Sequence, residues 1–255
     1  MSWAAERRTL ILTIIGLVVI AALAVMLIAL IYEAPSCNDG KQNQEEEGID
    51  CGGTCTYLCS ALVPAPVPTV SFVRALALPN GRTDVIAYVE NKNPTAAIED
   101  ARFIIELFSS DRTLVATQSG TIDLPPATDV PIFVPNFFSG NQEVAQAFLS
   151  FDETTLKWMK HEPVPVTLVA KDTFISGAAT PRVTAMIVNS SALPAASVKV
   201  VATVYDASGN VIAASQTLIP QISGFSEVPA VFTWNTPFSA TPARIDVQPI
   251  TVLIP

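Results

Sequence analysis

The sequence is poor in the residues that most chemistry needs. It holds one histidine, His161, in 255 residues, and its four cysteines all fall between Cys37 and Cys59. A Ser-His-Asp or Cys-His arrangement would have to use His161, and no GxSxG elbow, Gly-rich phosphate loop or HExxH helix accompanies it. His161 falls in a junction between two strand-rich regions, where an exposed structural residue is expected. Basic residues are also few, 14 against 23 acidic ones, for a formal charge of −9. An acidic surface repels polyanions, which argues against nucleic acid as a partner. Long amphipathic helices are missing as well. The best candidate after the N-terminal region, Glu153 to Lys160, spans only about two turns.

One long hydrophobic run is present. From Leu10 to Ile31 there is no charged residue, and Thr13 is the only polar side chain. As a helix this run is roughly 33 Å long, enough to cross a hydrocarbon core. Arg7 and Arg8 precede it, and Glu33 and an acidic stretch follow, which predicts a cytoplasmic N-terminus and an exported C-terminus. Tyr32, and Trp3 on the other side, are placed for the headgroup level. The run exceeds the apolar region of a cleaved signal, and Tyr32-Glu33-Ala34-Pro35 is a poor cleavage site. Ala34, Pro35 and Ser36 before Cys37 do not suit a lipoprotein signal. An uncleaved anchor is expected. Without Glu6, Arg7 and Arg8 the chain keeps 12 basic and 22 acidic residues, so the exported part is acidic too.

The cysteines Cys37, Cys51, Cys55 and Cys59 lie in a short segment unable to build its own hydrophobic core. An even count in an exported segment predicts two disulfides, with three pairings open. A four-thiolate zinc site is the alternative, but CxxxCxxxC is weak zinc spacing and an oxidising compartment disfavours free thiols. Asp39, Asn43, Glu46 and Asp50 could supply oxygen ligands for calcium, although no EF-hand template is present. A solvated acidic loop closed by disulfides is the simpler expectation. The segment resembles a cysteine motif found in exported bacterial and archaeal proteins, Cys-x-Asp-Gly-x-x-Asn-x-x-Glu-x-Gly-x-Asp-Cys-Gly-Gly-x-Cys. Cys37, Asp39, Gly40, Asn43, Glu46, Gly48, Asp50, Cys51, Gly52, Gly53 and Cys55 match it. Three residues separate Cys55 from Cys59, where that motif has two.

After Cys59, Pro64, Pro66 and Pro68 predict a stiff, extended spacer. The remainder is rich in Val, Thr, Ile and Phe and carries an internal repeat. Val67-Pro68 answers Val164-Pro165, and Val85–Asn91 aligns with Val183–Asn189. Phe103–Phe108 aligns with Val200–Tyr205, and Leu114–Ala116 with Val211–Ala213. Phe133 and Asn136 answer Phe232 and Asn235. Alternation in Val200–Tyr205 predicts a half-buried strand, with Val200, Ala202 and Val204 on one face and Val201, Thr203 and Tyr205 on the other. Asp206-Ala-Ser-Gly-Asn210 predicts a hairpin turn before Val211. Turn signals at this spacing suggest about seven strands per copy.

Val201-Ala-Thr-Val-Tyr-Asp206 followed by Gly209-Asn-Val-Ile212 resembles FxLYD-type domains, with Val201 in place of the first aromatic. Copy one carries Phe108-Ser109 in place of Tyr-Asp. Asn91-Lys-Asn-Pro94 resembles the Asn-Pro-Asn turn of late-embryogenesis-abundant type 2 sandwiches. The resemblance implies immunoglobulin-like modules built for exposure and binding.

The sequence thus predicts a mainly β protein in six parts. Residues 1–8 are a cytoplasmic N-terminus, 9–32 a transmembrane helix, 33–60 a cysteine-rich acidic segment and 61–66 a Pro-rich spacer. Residues 67–160 and 161–255 are tandem immunoglobulin-like β-sandwiches. No catalytic residue and no cofactor is expected beyond the calcium candidate. The acidic pairs Glu99-Asp100 and Asp152-Glu153 read as solvated strand ends, Trp158 and Trp234 as core or junction aromatics, and Asn189-Ser190-Ser191 as a glycosylation sequon by pattern. The expected role is a single-pass membrane protein, anchored in the bilayer through residues 9–32, whose sandwiches bind a protein or polysaccharide partner. A subunit of an envelope assembly, or an accessory module of a membrane enzyme complex, is the alternative.

Overall fold

A computed structural model of the chain describes residues 3–31, 36–43, 45–79, 81–138, 140, 142–161 and 167–250. The expectations for Tyr32, for Glu33 to Pro35 and for Val164-Pro165 lie outside these residues, as does the side chain of Trp3. The chain forms two compact units, Met1–Cys55 and Thr56–Pro255.

In the first unit, α1 (Trp3–Ile31) is a continuous helix without proline. Its apolar side chains are bare on every face, with Leu10, Ile20 and Val25 all more than half exposed. Within it, Arg7–Ile28 is 22 residues long, with none of its apolar core segment buried by protein. A helix that is apolar all round suits a membrane anchor or a signal sequence. Thr13 Oγ1 donates to Thr9 O at 2.8 Å, so the one polar side chain in the run is satisfied within the helix. Among the described residues this is the one helix long and apolar enough to cross a membrane.

The second unit is all β. Its strands are β1 (Thr69–Leu78), β2 (Arg82–Asn91), β3 (Ala96–Phe108), β4 (Leu114–Leu124), β5 (Thr128–Phe138), β6 (Gln146–Phe151) and β7 (Trp158–Lys160), then β8 (Leu168–Ser176), β9 (Arg182–Asn189), β10 (Ala195–Tyr205), β11 (Val211–Ile222), β12 (Glu227–Thr233) and β13 (Arg244–Ile250). All pairings are antiparallel. Sheet β1-β2-β5 faces sheet β4-β3-β6, with β7 pairing the start of β3. Sheet β12-β9-β8 faces sheet β11-β10-β13. The same pairing order therefore occurs twice, with seven described strands in one sandwich and six in the other. Backbone irregularities fall at matching places. Asp100 and Ser197 take positive φ near the starts of β3 and β10, and Ala127 and Phe225 do so just before β5 and β12.

The expected hairpin forms between β10 and β11. Asp206 Oδ1 accepts from the N–H groups of Ser208 and Asn210 at 2.9 and 2.8 Å, and Gly209 supplies the φ of 81° that the turn requires.

Each sandwich is locked by one buried asparagine at the end of its central strand. Asn91 Nδ2 donates to the carbonyls of Ala96, Leu124 and Pro125, while its Oδ1 accepts from Asn93 N. Asn189 Nδ2 donates to Leu193, Ile222 and Ser223 in the same manner, and its Oδ1 accepts from Ser191 N. Both residues are fully buried. The sequon at Asn189 is therefore structural: its amide nitrogen is spent on carbonyls, and a glycan there would forfeit those bonds and unseat the turn.

One expectation fails in an informative way. Val200–Tyr205 was expected to be half-buried, yet all six side chains are buried. Val200 and Ala202 lie in the core of their own sandwich. Val201 and Tyr205 join the core cluster of the first sandwich, together with Ile86 and Tyr88 of β2. Tyr88 and Thr203 share a buried hydroxyl–hydroxyl hydrogen bond of 3.1 Å, and Gln248 Nε2 donates to Asp129 O. The four sheets are thus stacked, with β1-β2-β5 and β11-β10-β13 face to face in the middle. The Pro-rich stretch is docked on the first sandwich. Asn93 holds Ala65 through both its side-chain donor and acceptor at 2.8 and 3.0 Å, and the Trp158 indole donates to Pro66 O at 2.9 Å.

Candidate functional site

The cysteine segment is oxidised throughout. Cys37 and Cys55 form one disulfide across a sequence separation of 18, Cys51 and Cys59 are also disulfide-bonded, and the chain has no free cysteine. Gly53 has a φ of 57°, and a Cβ there would meet Glu45 O at 1.8 Å, so the Cys-Gly-Gly step needs glycine.

The four calcium candidates share this loop; the carboxylates of Asp39, Asp50 and Glu46 accept from loop N–H groups, while the buried Asn43 Oδ1 has no hydrogen-bond partner. Asp50 Oδ1 accepts from Asp39 N at 2.9 Å, and Gly40 N lies 3.2 and 2.9 Å from the two Asp50 oxygens. Asp39 accepts from Lys41 N and from Asn43 Nδ2, and Glu46 Oε2 accepts from Asn43 N at 3.2 Å. These bonds close the loop. Glu46 is buried, with Oε1 3.3 Å from Cys55 Sγ. That approach is a contact and not a hydrogen bond, because a disulfide sulfur carries no proton. Cys37, Glu46 and Cys55 bring their ligand-type atoms within 4.8 Å of one another, but the two sulfurs are bonded to each other and leave no thiolate for a metal.

The acidic pairs differ. Asp152 caps a short 3₁₀ turn, accepting from Thr154 N and Thr154 Oγ1 at 3.2 and 2.6 Å. Glu99 and Asp100 are exposed, and Asp100 N donates to Asp123 Oδ1. His161 follows β7, its N–H donating to Thr95 O at 3.1 Å.

One concave surface lies at the opposite end of the sandwiches from His161, where β1 turns into β2 and β12 leaves for β13. A groove of about 310 Å³ there is lined by Arg74 and Asp84 of the first sandwich, the start of β11, and Trp234, Thr236, Phe238 and Ser239. It adjoins a cleft of about 520 Å³ through the shared residues Pro237 and Phe238, whose other wall includes Ile175 and Pro181. The β12–β13 connection is firmly held. Trp234 N donates to Pro181 O at 3.0 Å, and the Trp234 indole donates to Ala214 O at 3.2 Å. Trp234 and Phe238 meet edge to face with centroids 5.1 Å apart.

Two charged groups complete the groove. Asp84 accepts from Asn136 N at 2.8 Å, and burial pushes its carboxyl above the ordinary carboxylate range, partly offset by that N–H. The Arg74 guanidinium is exposed and makes no hydrogen bond or ion pair with the described residues. The lining holds one carboxylate and neither histidine nor cysteine. It can donate and accept hydrogen bonds beside an aromatic surface, but it cannot supply a paired acid and base. Sequence reasoning missed this site because its parts are far apart in the chain. The dense run Trp234-Asn-Thr-Pro-Phe-Ser239 was the one local signal.

No protein-family profile matches the sequence, and no curated protein matches it. Solved structures match in part. A red sea bream transglutaminase is 11% identical over 74% of this chain and 31% of its own, with a TM-score of 0.25. A glycosyl hydrolase family 2 member from Bacteroides cellulosilyticus is 10% identical over 68% of this chain and 28% of its own, with a TM-score of 0.23. The chain thus spans under a third of either protein. A tandem CBM22 domain from Paenibacillus barcinonensis is 6% identical over 74% of this chain and 87% of its own, with a TM-score of 0.16. At these scores the likenesses assign the chain neither a fold family nor an activity.

Proposed function

We propose that this chain is a membrane-anchored, non-catalytic binding protein. In this reading α1 is an uncleaved anchor with its N-terminus in the cytoplasm, and everything after it is extracytoplasmic. The double sandwich, built by duplication of one immunoglobulin-like unit, presents the groove at its loop end to a ligand outside the cell. The groove carries the reading. It joins a pinned aromatic pair to a guanidinium and a carboxylate with no catalytic grouping, at the junction of two modules where ligand sites concentrate. The oxidised cysteines fit an exported location.

The test is retention. Full-length chain in lipid nanodiscs is mixed with envelope and extracellular polymer fractions of the source cells, beside the groove variant Arg74→Gln/Asp84→Asn/Phe238→Ala. The reading expects retention by the parent chain and its loss in a variant of unchanged melting temperature. Equal retention by both overturns it. Protease shaving of intact cells is expected to remove the region after α1, and full protection overturns the topology.

A second reading, a subunit of a larger envelope assembly, is favoured by apolar side chains the fold leaves bare. Phe225, Phe138, Leu218 and Phe174 are 76%, 72%, 61% and 57% exposed. Such side chains mark surfaces that other proteins cover.

A further inference from the structure

We infer that the groove lined by Arg74, Asp84, Trp234, Thr236, Phe238 and Ser239 is a subsite for an uncharged glycan chain; this rests on the binding reading above. The polar and aromatic groups of the groove together specify the ligand. The exposed Arg74 guanidinium offers donors to a ligand, and Asp84, which already takes one N–H from Asn136, has acceptor capacity left for a donor. The two form no ion pair with each other. A ligand that serves both must present donors and acceptors side by side, as vicinal hydroxyls do. Thr236 and Ser239 add hydroxyls that bond in either sense.

The aromatic wall sets the other half of the chemistry. The Trp234–Phe238 pair is anchored by two hydrogen bonds from Trp234, so its apolar surface is in place before a ligand arrives. A pyranose ring has this complementary shape, with hydroxyls around its rim and C–H groups on its face. A proline-rich peptide offers an aromatic-stacking surface and carbonyl acceptors, but proline has no N–H for Asp84. An anionic polymer meets a protein of formal charge −9 and a carboxylate in the groove itself. The groove adjoins the cleft beside Ile175 and Pro181, with Pro237 and Phe238 lining both.

The experiment uses the full chain in nanodiscs and a panel of uncharged hexasaccharides of glucose, mannose, galactose, xylose and N-acetylglucosamine. Binding is read by calorimetry and by the fluorescence of Trp234, with a proline-rich decapeptide as the competing class. The expected result is that at least one hexasaccharide binds and shifts Trp234 emission. Asp84→Asn and Arg74→Gln, each melting as the parent does, should then weaken it about tenfold, the loss of one charge-assisted bond. Phe238→Leu, which keeps apolar bulk, should also weaken it. Binding that is unchanged in all three variants overturns the assignment. So does binding of the peptide with none of the sugars. If no hexasaccharide binds but the polymer fractions are still retained through the groove, the glycan assignment fails while the binding reading stands. If neither occurs, both fail.

Discussion

Replacing Asn189 with alanine should destabilise the whole Thr56–Pro255 unit, and the size of the effect follows from its hydrogen bonds. The Asn189 amide donates to Leu193 O at 2.8 Å, Ile222 O at 3.3 Å and Ser223 O at 3.2 Å. Its Oδ1 accepts from Ser191 N and Ser191 Oγ at 3.0 and 2.8 Å. Alanine removes every one of these partners. The Ile222 carbonyl sits beside a fully buried side chain, out of reach of water, and an orphaned buried acceptor costs about 1–3 kcal/mol. The partly buried carbonyls can turn to water and lose less. A total near 3 kcal/mol is expected, and with a urea slope of about 2 kcal/mol per M the midpoint falls by roughly 1.5 M. Asn189→Asp keeps the acceptor side but aims a negative charge at three carbonyls, so it should be worse than alanine. The assay is urea unfolding of the full chain in detergent with disulfides intact, read by fluorescence in a Trp234→Phe chain that reports on Trp158 in the first sandwich and in a Trp158→Phe chain that reports on Trp234 in the second. Because the two middle sheets share a core, both tryptophans should report the lowered midpoint. A shift of less than about 0.5 kcal/mol would refute the orphaned-carbonyl reasoning. A shift seen by Trp234 alone would refute the fused core.

Four further outcomes are expected. Tyr88→Phe should cost about 1 kcal/mol by orphaning Thr203, while Tyr88→Phe with Thr203→Val should recover part of it; a double-mutant cycle in urea gives the coupling. Unreduced mass spectrometry should find no alkylatable thiol and a Cys37–Cys55 cross-linked peptide, with four thiols appearing only after reduction. The folded pKa of Asp84 is raised by burial, so the folded state binds that proton more tightly than the unfolded one. The stability penalty from this group is therefore full above its folded pKa and is relieved as pH falls through it toward 3.8, and Asp84→Asn should flatten that part of the melting profile. Phe225 is exposed with a φ of 52°, a conformation that disfavours a side chain, so Phe225→Gly should raise stability by about 0.5–1 kcal/mol in thermal melts.

What could be read from the sequence was local. The apolar run set α1, and the Asp206–Asn210 turn chemistry set a hairpin. Four clustered cysteines in a core-poor segment implied disulfides. Alternation along Val200–Tyr205 correctly sorted its side chains onto two faces, because the pleat has a period of two. What covers each face is a tertiary fact that alternation does not encode. The face of Val201, Thr203 and Tyr205 is covered by the first sandwich, where Tyr88 and Thr203 satisfy one another across the interface. Asn189 looked like a modification site because a sequon is a surface pattern, whereas its buried amide is a tie between two sheets. The groove was invisible for the same reason: Asp84 and Trp234 become neighbours only once one sheet is laid on another.

That stacking also bears on binding. Two sandwiches joined only by a flexible linker would leave the wall bearing Arg74 and Asp84 free to move against the wall bearing Trp234. Any ligand bridging them would then lose affinity to the ordering of two bodies. Here β2 is buried on both faces, and β10 is clamped against it through Val201, Thr203 and Tyr205. The groove geometry is therefore set by the core of the fold and not by the ligand. A substitution deep in the interface and away from the groove should show this. Val201→Ala opens a cavity between the middle sheets and should cost about 1–3 kcal/mol in stability. If the core sets the groove, it should also weaken ligand retention, although Val201 lines no part of the groove. Unchanged retention in a measurably destabilised Val201→Ala chain would mean that the β12–β13 connection alone holds the site, through the bonds from Trp234 to Pro181 and Ala214.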